Sequence, residues 1–305
     1  MTQQPYPTQT SPGPDSGGPP GPLPGSLRPG IIPFRPLSMG EMFNGSLKAA
    51  RMSPAVVLGV SAVVTAAAMG LWALLRRVLD VDSVFQTGSG DQSEGVTLAL
   101  GPEAGIAAIA WGFVAFAVSR AVLGQRVGVV DAAKVVGPRI PAILCVGLVL
   151  LLIVVIPARL VRLATRVEPA LEFPIGLVAF VFVFYSMVTF LFAEIIVVLE
   201  RVGPIKALRR SWKLTHSMFW STFGIALVTT LVMAIAGQVA LSGLTMIPGF
   251  VAQTSTVAAA VGVVAEGVVS TITTALTAGV FCLLYVDRRM QAEGFDIELA
   301  RTVIA

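Results

Sequence analysis

The chain has 305 residues, 55% of them apolar and only 12% charged, with a net charge of +4. A soluble domain needs a charged shell, so this balance excludes one and points to lipid contact. With one histidine and two cysteines, a zinc site of several histidines and a disulfide framework are also excluded.

Residues 1–36 are dominated by Pro, Gly, Ser, Thr and Gln. Such a segment buries too little surface to offset its ordering entropy, so a disordered cytoplasmic tail with polyproline-II bias is expected. No secretory signal is visible, because the first apolar run starts only after residue 54. The first span is therefore expected to stay in the mature protein. The character changes at Pro36, and residues 37–290 read as the membrane domain. Ser38-Met39-Gly40-Glu41 has the spacing of a capping box. Met39, Met42, Phe43 and Leu47 lie beyond it on one face, with Lys48 and Arg51 near the end, which predicts an interfacial helix.

Six runs are long enough to span: Ala55–Leu75, Ala104–Leu123, Ile140–Ile156, Pro174–Val198, Phe219–Met246 and Val257–Val286. The expected fold class is an all-α polytopic membrane bundle of about six helices with interfacial helices on the cytoplasmic side. The third run is near the minimum length. The last two exceed what ~30 Å of hydrocarbon needs, so they should tilt, kink or protrude. With the N-terminus inside, sixteen Lys and Arg fall on cytoplasmic segments and five on outer ones. That bias predicts both termini in the cytoplasm, with Arg159, Arg162 and Arg166 opposing the rule locally. Cys145 and Cys282 lie inside apolar runs and read as small buried hydrophobes.

Arg126-Val127-Gly128 through Lys134 is similar to Arg201-Val202-Gly203 through Arg209. Each precedes an inside-to-outside span, as does the segment Ser38–Arg51. One reading is three parallel units, each an interfacial helix plus a helical hairpin. The other is convergent Arg, Gly and Ala usage at membrane edges.

The stretch Leu199–Phe223 joins two apolar runs and carries Arg201, Lys206, Arg209, Arg210 and Lys213. Val202, Ile205, Leu208 and Trp212 recur between the cations at helical spacing. The pattern predicts an amphipathic surface helix whose Lys206, Arg209, Arg210 and Lys213, with Trp212, engage anionic lipid at about 1 kcal/mol per charge. His216 sits among Trp212, Phe219 and Trp220, an expected interfacial aromatic belt.

Ionisable groups inside spans are the other candidates, because burying a charge in hydrocarbon is costly. Arg120, Glu194 and Glu266 stand out. In the repeat register Arg120 and Glu194 share a depth. They are read either as an ion pair or as two groups snorkelling separately. Glu266 belongs to a four-residue series, Gly262, Glu266, Ser270, Thr274 and Ala278. That series is read as a packing seam, or as lining a cavity where Glu266 binds a proton or cation near Gln238. No phosphate loop or nucleophile elbow occurs, and no catalytic residue, metal site or cofactor is expected. The loop 76–103 is acidic and Gly/Ser-rich, and reads as solvated.

Three stretches carry a resemblance. They are Phe34–Gly45, Arg201–Ile225, and Leu284–Met290 continuing through Glu293–Leu299. Together they resemble the glycerophosphoryl diester phosphodiesterase membrane-domain family, in its stand-alone, proline- and glycine-rich transmembrane form. The resemblance covers about Pro36 to the C-terminus. It implies a membrane domain without the catalytic barrel, and one histidine is too few for that barrel's two-histidine acid–base pair. Asp287-Arg288-Arg289 is expected to stop the last span. The short cytoplasmic segment 291–305 would then fold back, setting Asp296 and Glu298 against Arg209 and Arg210.

The expected function is a non-enzymatic module of the bacterial cell membrane that engages lipid or a partner protein at the inner leaflet. Membrane lipids, a protein partner or a homo-oligomer are the expected contacts, and nucleic acid is not. The alternative is a small transporter or lipid-handling protein with its site near Glu266.

Overall fold

The computed structural model describes residues 37–79, 102–251 and 256–293. The expectations for the tail 1–36, most of the 76–103 loop and the 294–305 fold-back lie outside these residues. Among the described residues the chain is helical, with no strand. In chain order the helices are α1 (Met39–Met52), α2 (Ser61–Leu79), α3 (Pro102–Val122), α4 (Val129–Val136) and α5 (Ile140–Val167). They continue as α6 (Glu172–Thr189), α7 (Ala193–Leu199), α8 (Pro204–His216), α9 (Phe219–Val251) and α10 (Thr256–Glu293). Four stretches are long and apolar enough to cross a membrane, or five if the bent pair Met39–Met52 and Ala55–Leu71 counts as one span.

The short helices α1, α4 and α8 each begin a unit, and two long stretches come after each of them. Their N-termini share a register. Ser38, Gly128 and Gly203 are N-caps in extended conformation. Their carbonyls accept from the N–H of Met42, Ala132 and Ala207 at 3.0–3.1 Å. Those three residues are all fully buried. The alignment of Gly128 with Gly203 read from the sequence is therefore reproduced in backbone geometry.

The expected capping box forms at α1: Ser38 N–H donates to Glu41 Oε2 at 2.9 Å, and Glu41 N–H to Ser38 Oγ at 3.4 Å. The face that α1 buries is Met42, Gly45, Ser46, Ala49 and Ala50, while Leu47 points outward. At Ser53-Pro54 the chain turns by 93° into α2, through a π-helical turn over Ala55–Val60. Proline has no N–H and resists continuation of the preceding helix, which sets the corner there.

The second half of α10 is the centre of the bundle. Val280 to Arg288 are all buried, and α1, α2, α3, α8 and α9 pack around this helix. Helix α1 approaches most closely at Gly279, where an added Cβ would collide with Ser46 Oγ and sit 3.0 Å from Ser46 Cβ. Ser46 Oγ donates to the Leu276 carbonyl at 2.9 Å across the same contact. Small residues let helices meet this closely where lipid supplies no hydrophobic drive. Away from this end the surfaces are apolar: Leu152, Ile156, Leu160, Val178, Phe180, Leu231, Ile235 and Val239 are exposed.

Two expectations are corrected. The third run does not stop at Ile156, because α5 continues through Pro157 to Val167 and carries Arg159, Arg162 and Arg166 on helix. The fourth run holds as one apolar stretch, Pro169–Leu199, although its helix is interrupted over Phe190–Phe192. Asp287 and Arg288 do not terminate the last span, since both are buried and α10 runs on to Glu293. Cys282 is buried as expected, whereas Cys145 faces outward on α5.

Gly279→Ala should lower the stability of the purified protein by about 1–3 kcal/mol through overpacking. A double-mutant cycle with Ser46→Gly, read by thermal unfolding in detergent, should recover part of that loss; additive losses would show that the two positions do not touch.

Candidate functional site

Helix α8 has three sides. Pro204 occupies its first turn, where a missing N–H costs nothing, and Gly203 caps it. Ala207, Ser211, Leu214 and Thr215 are buried against the bundle. At 100° per residue, Ile205 and Trp212 lie within about 20° of each other on one flank, and Arg209, Lys213 and Lys206 come about 40–100° further round, Arg209 opposite the buried face. All five are exposed, Ile205 by 81% and Trp212 by 45%. Trp212 stacks on His216 with ring centroids 5.1 Å apart. Tyr185, Phe219, Trp220 and Phe223 adjoin as a chain of ring contacts, with Tyr185 stacked on Phe219 at 5.3 Å.

Arg210 does not belong to the outward cationic face expected for it. Its Nε donates to Glu200 Oε1 at 3.1 Å, and the Tyr285 hydroxyl donates to the same oxygen at 2.6 Å. Glu200 thus ties α8 to α10, and Arg210 serves the fold. The apolar positions Ile205 and Trp212 face away from the bundle. Among the described residues, the outward cations of α8 are Lys206, Arg209 and Lys213.

Ser211, at the middle of the buried face, meets the break between α6 and α7. Its Oγ donates to the Thr189 carbonyl at 2.8 Å and accepts the Phe192 N–H at 3.3 Å. A continuous helix would pair those backbone groups internally. In a membrane an unpaired one costs several kcal/mol, so the hydroxyl replaces the lost ladder.

A second polar knot sits on α10. The Leu37 N–H donates to Asp287 Oδ1 at 2.9 Å, and Gln291 Nε2 donates to Asp287 Oδ2 at 2.7 Å. Arg288 Nη2 donates to Ser221 Oγ at 2.9 Å, and its Nη1 to Gln291 Oε1 at 3.2 Å. Sequence reasoning missed Ser211, Glu200, Tyr285 and this knot. The legible signal was an Asp-Arg pair directly after an apolar run.

The intramembrane candidates separate. Arg120 donates to Gln125 Oε1 at 3.0 Å and lies 5.5 Å from the centroid of the Phe116 ring. Glu194 lies elsewhere, in a cavity of about 360 Å³ lined with Ala108, Trp111, Gly147, Met187, Phe190 and Thr274 among others. Arg120 is nine residues beyond Trp111 on α3, about 14 Å of helix rise, so the expected Arg120–Glu194 pair is not formed. Glu266 is exposed on α10, as Gln238 is on α9. The buried line of α10 runs through Thr271, Ala275, Ala278 and Cys282 instead. Residues four apart drift by about 40° per step, so the series from Gly262 to Ala278 winds about 160° around the helix and Glu266 leaves the contact.

No protein-family model, no curated protein and no solved structure matches this chain.

Ser211→Ala should cost about 1–3 kcal/mol, because it strands a carbonyl and an N–H in the bundle. Thermal unfolding of the purified variant checks this, with the outward Lys213→Ala as the control expected to stay within about 0.5 kcal/mol.

Proposed function

We propose that this chain is a non-enzymatic protein of the bacterial plasma membrane, crossing it six times with both termini in the cytoplasm. Its α8 surface docks anionic lipid of the inner leaflet. The observation that carries this reading is the division of α8 into a bundle face, an exposed apolar flank and an exposed cationic flank. Ile205 and Trp212 would enter the acyl boundary while Lys206, Arg209 and Lys213 stay at headgroup level. The neighbouring rings of Phe219 and Trp220 suit the same depth. Lys48 and Arg51 on α1 and Lys134 on α4 are exposed as well, so each unit's short helix offers cations.

Kinship with the stand-alone glycerophosphoryl diester phosphodiesterase membrane domains belongs to the same proposal. The opening and closing motifs of that resemblance touch in this fold, through Leu37 N–H and the Asp287 carboxylate. Two motifs that must bond to each other give a physical reason for their joint appearance.

The lipid reading is tested by extracting the full chain from membranes of equal phosphatidylglycerol and phosphatidylcholine and measuring the retained lipids. Wild type should retain excess phosphatidylglycerol. Lys206→Gln/Arg209→Gln/Lys213→Gln should lose up to ~3 kcal/mol of that preference, less at high salt. An unchanged ratio in the triple variant would refute lipid docking by α8. Orientation is tested with single cysteines in a background lacking Cys145 and Cys282. An impermeant thiol reagent outside the cell should label position 90 and spare 206 and 292; the reverse pattern would invert the topology.

A further inference from the structure

The Glu194 cavity is built from five helices: Ala108 and Trp111 of α3, Gly147, Leu150 and Leu151 of α5, Met187 of α6, Glu194 of α7 and Thr274 of α10, with Phe190 and Leu191 from the break. Its walls are apolar and aromatic, with one carboxylate and one hydroxyl. Among the described residues Glu194 has no hydrogen bond or ion pair. Nor does the surrounding sequence offer a counterion: residues 102–119, 140–158, 172–199 and 256–287 contain no Lys or Arg. The nearest expected cation, Arg120, is engaged with Gln125 and Phe116.

An uncompensated carboxylate inside a spanning bundle is costly, and such groups mark ion or substrate sites. The indole of Trp111 adds a negative π face, the best aromatic surface for a cation. The break over Phe190–Phe192 lies at the cavity wall, and non-helical backbone at membrane depth is tolerated where it lines a cavity. About 360 Å³ lies within the range of small-molecule sites.

We propose that this cavity binds a hydrophobic organic cation, an amine or quaternary ammonium on an apolar body, with Glu194 as counterion and Trp111 as the ring it faces. The hydrocarbon of the ligand fills the space between Leu150, Leu151, Met187 and Leu191. A hydrated inorganic ion fits this lining less well, since one carboxylate and one hydroxyl do not replace a hydration shell. The proposal is independent of lipid docking at α8, because the two sites share no residue.

The test is calorimetric titration of the purified full chain with phenyltrimethylammonium and with tert-butylbenzene, its uncharged isostere. The ammonium should bind at least tenfold more tightly than the isostere. Glu194→Gln should abolish that preference, leaving both probes weak and similar, while Glu266→Gln leaves it intact. The isostere comparison on wild type alone decides the matter if Glu194→Gln does not fold. Equal binding of the two probes would make the cavity a simple apolar void and overturn the proposal. An undiminished preference in Glu194→Gln would overturn it too, as would an absence of ammonium binding.

Discussion

In hydrocarbon no water is available to pair a stray N–H or carbonyl, and this fold is arranged around that constraint. Among the described residues, a serine stands at the Ser53-Pro54 bend and another meets the break over Phe190–Phe192. At Ser53-Pro54 the Ser53 hydroxyl accepts the Val127 N–H at 3.1 Å, so the corner of the first unit also holds the start of the second. At Phe190–Phe192 the hydroxyl of Ser211 serves both freed backbone groups, so the third unit holds the end of the second. The Leu37 N–H finds Asp287, joining the start of the first unit to the end of the third. These three irregular points of the backbone thus double as connections between units.

These connections explain why the bundle is packed at one end and open at the other. Polar anchors and small-residue contacts gather where α1, α7, α8 and the second half of α10 meet. Gly279 admits Ser46 there, and Gly112 lets Ile143 and Val198 close on α3. Toward the far end the α5–α6 hairpin exposes leucines, valines and phenylalanines, and an apolar groove of about 540 Å³ runs between its helices. Apolar atoms facing lipid carry no penalty, so that end gains little from close packing.

Elements with a local cause were legible in the sequence. The capping box of α1 depends on residues three positions apart and forms as read; the similarity of Arg126–Lys134 to Arg201–Arg209 is matched by the shared glycine caps of α4 and α8. The break in the fourth span was not legible. Phe190-Leu191-Phe192 contains neither Gly nor Pro, and its partner Ser211 lies 19 residues beyond Phe192. The sidedness of α8 was hidden for a different reason. The spacing of Ile205, Leu208 and Trp212 marks an amphipathic helix but does not say which side meets the bundle. In water the apolar side of a helix faces the protein. Here Ala207, Ser211, Leu214 and Thr215 are the buried side, while Ile205 and Trp212 are exposed. Glu266 misleads because four-residue spacing looks like one face, although it drifts around a helix of 3.6 residues per turn.

The three units share one frame, and what differs between them locates the chemistry. Helices α4 and α8 begin alike, with a glycine cap and a buried alanine four residues on. Yet α4 ends after eight residues while α8 continues for thirteen. Ser211, which mends the break over Phe190–Phe192, stands where α4 has its last residue Val136, and the added turn brings Lys213 to the cationic flank and Leu214 and Thr215 to the buried face. Among the described residues only the second unit interrupts its return stretch, and Glu194, at the head of α7 just beyond that interruption, lines one cavity with Trp111 and Thr274. The segment from Thr189 to Thr215 supplies both the outward cations of α8 and the Glu194 carboxylate.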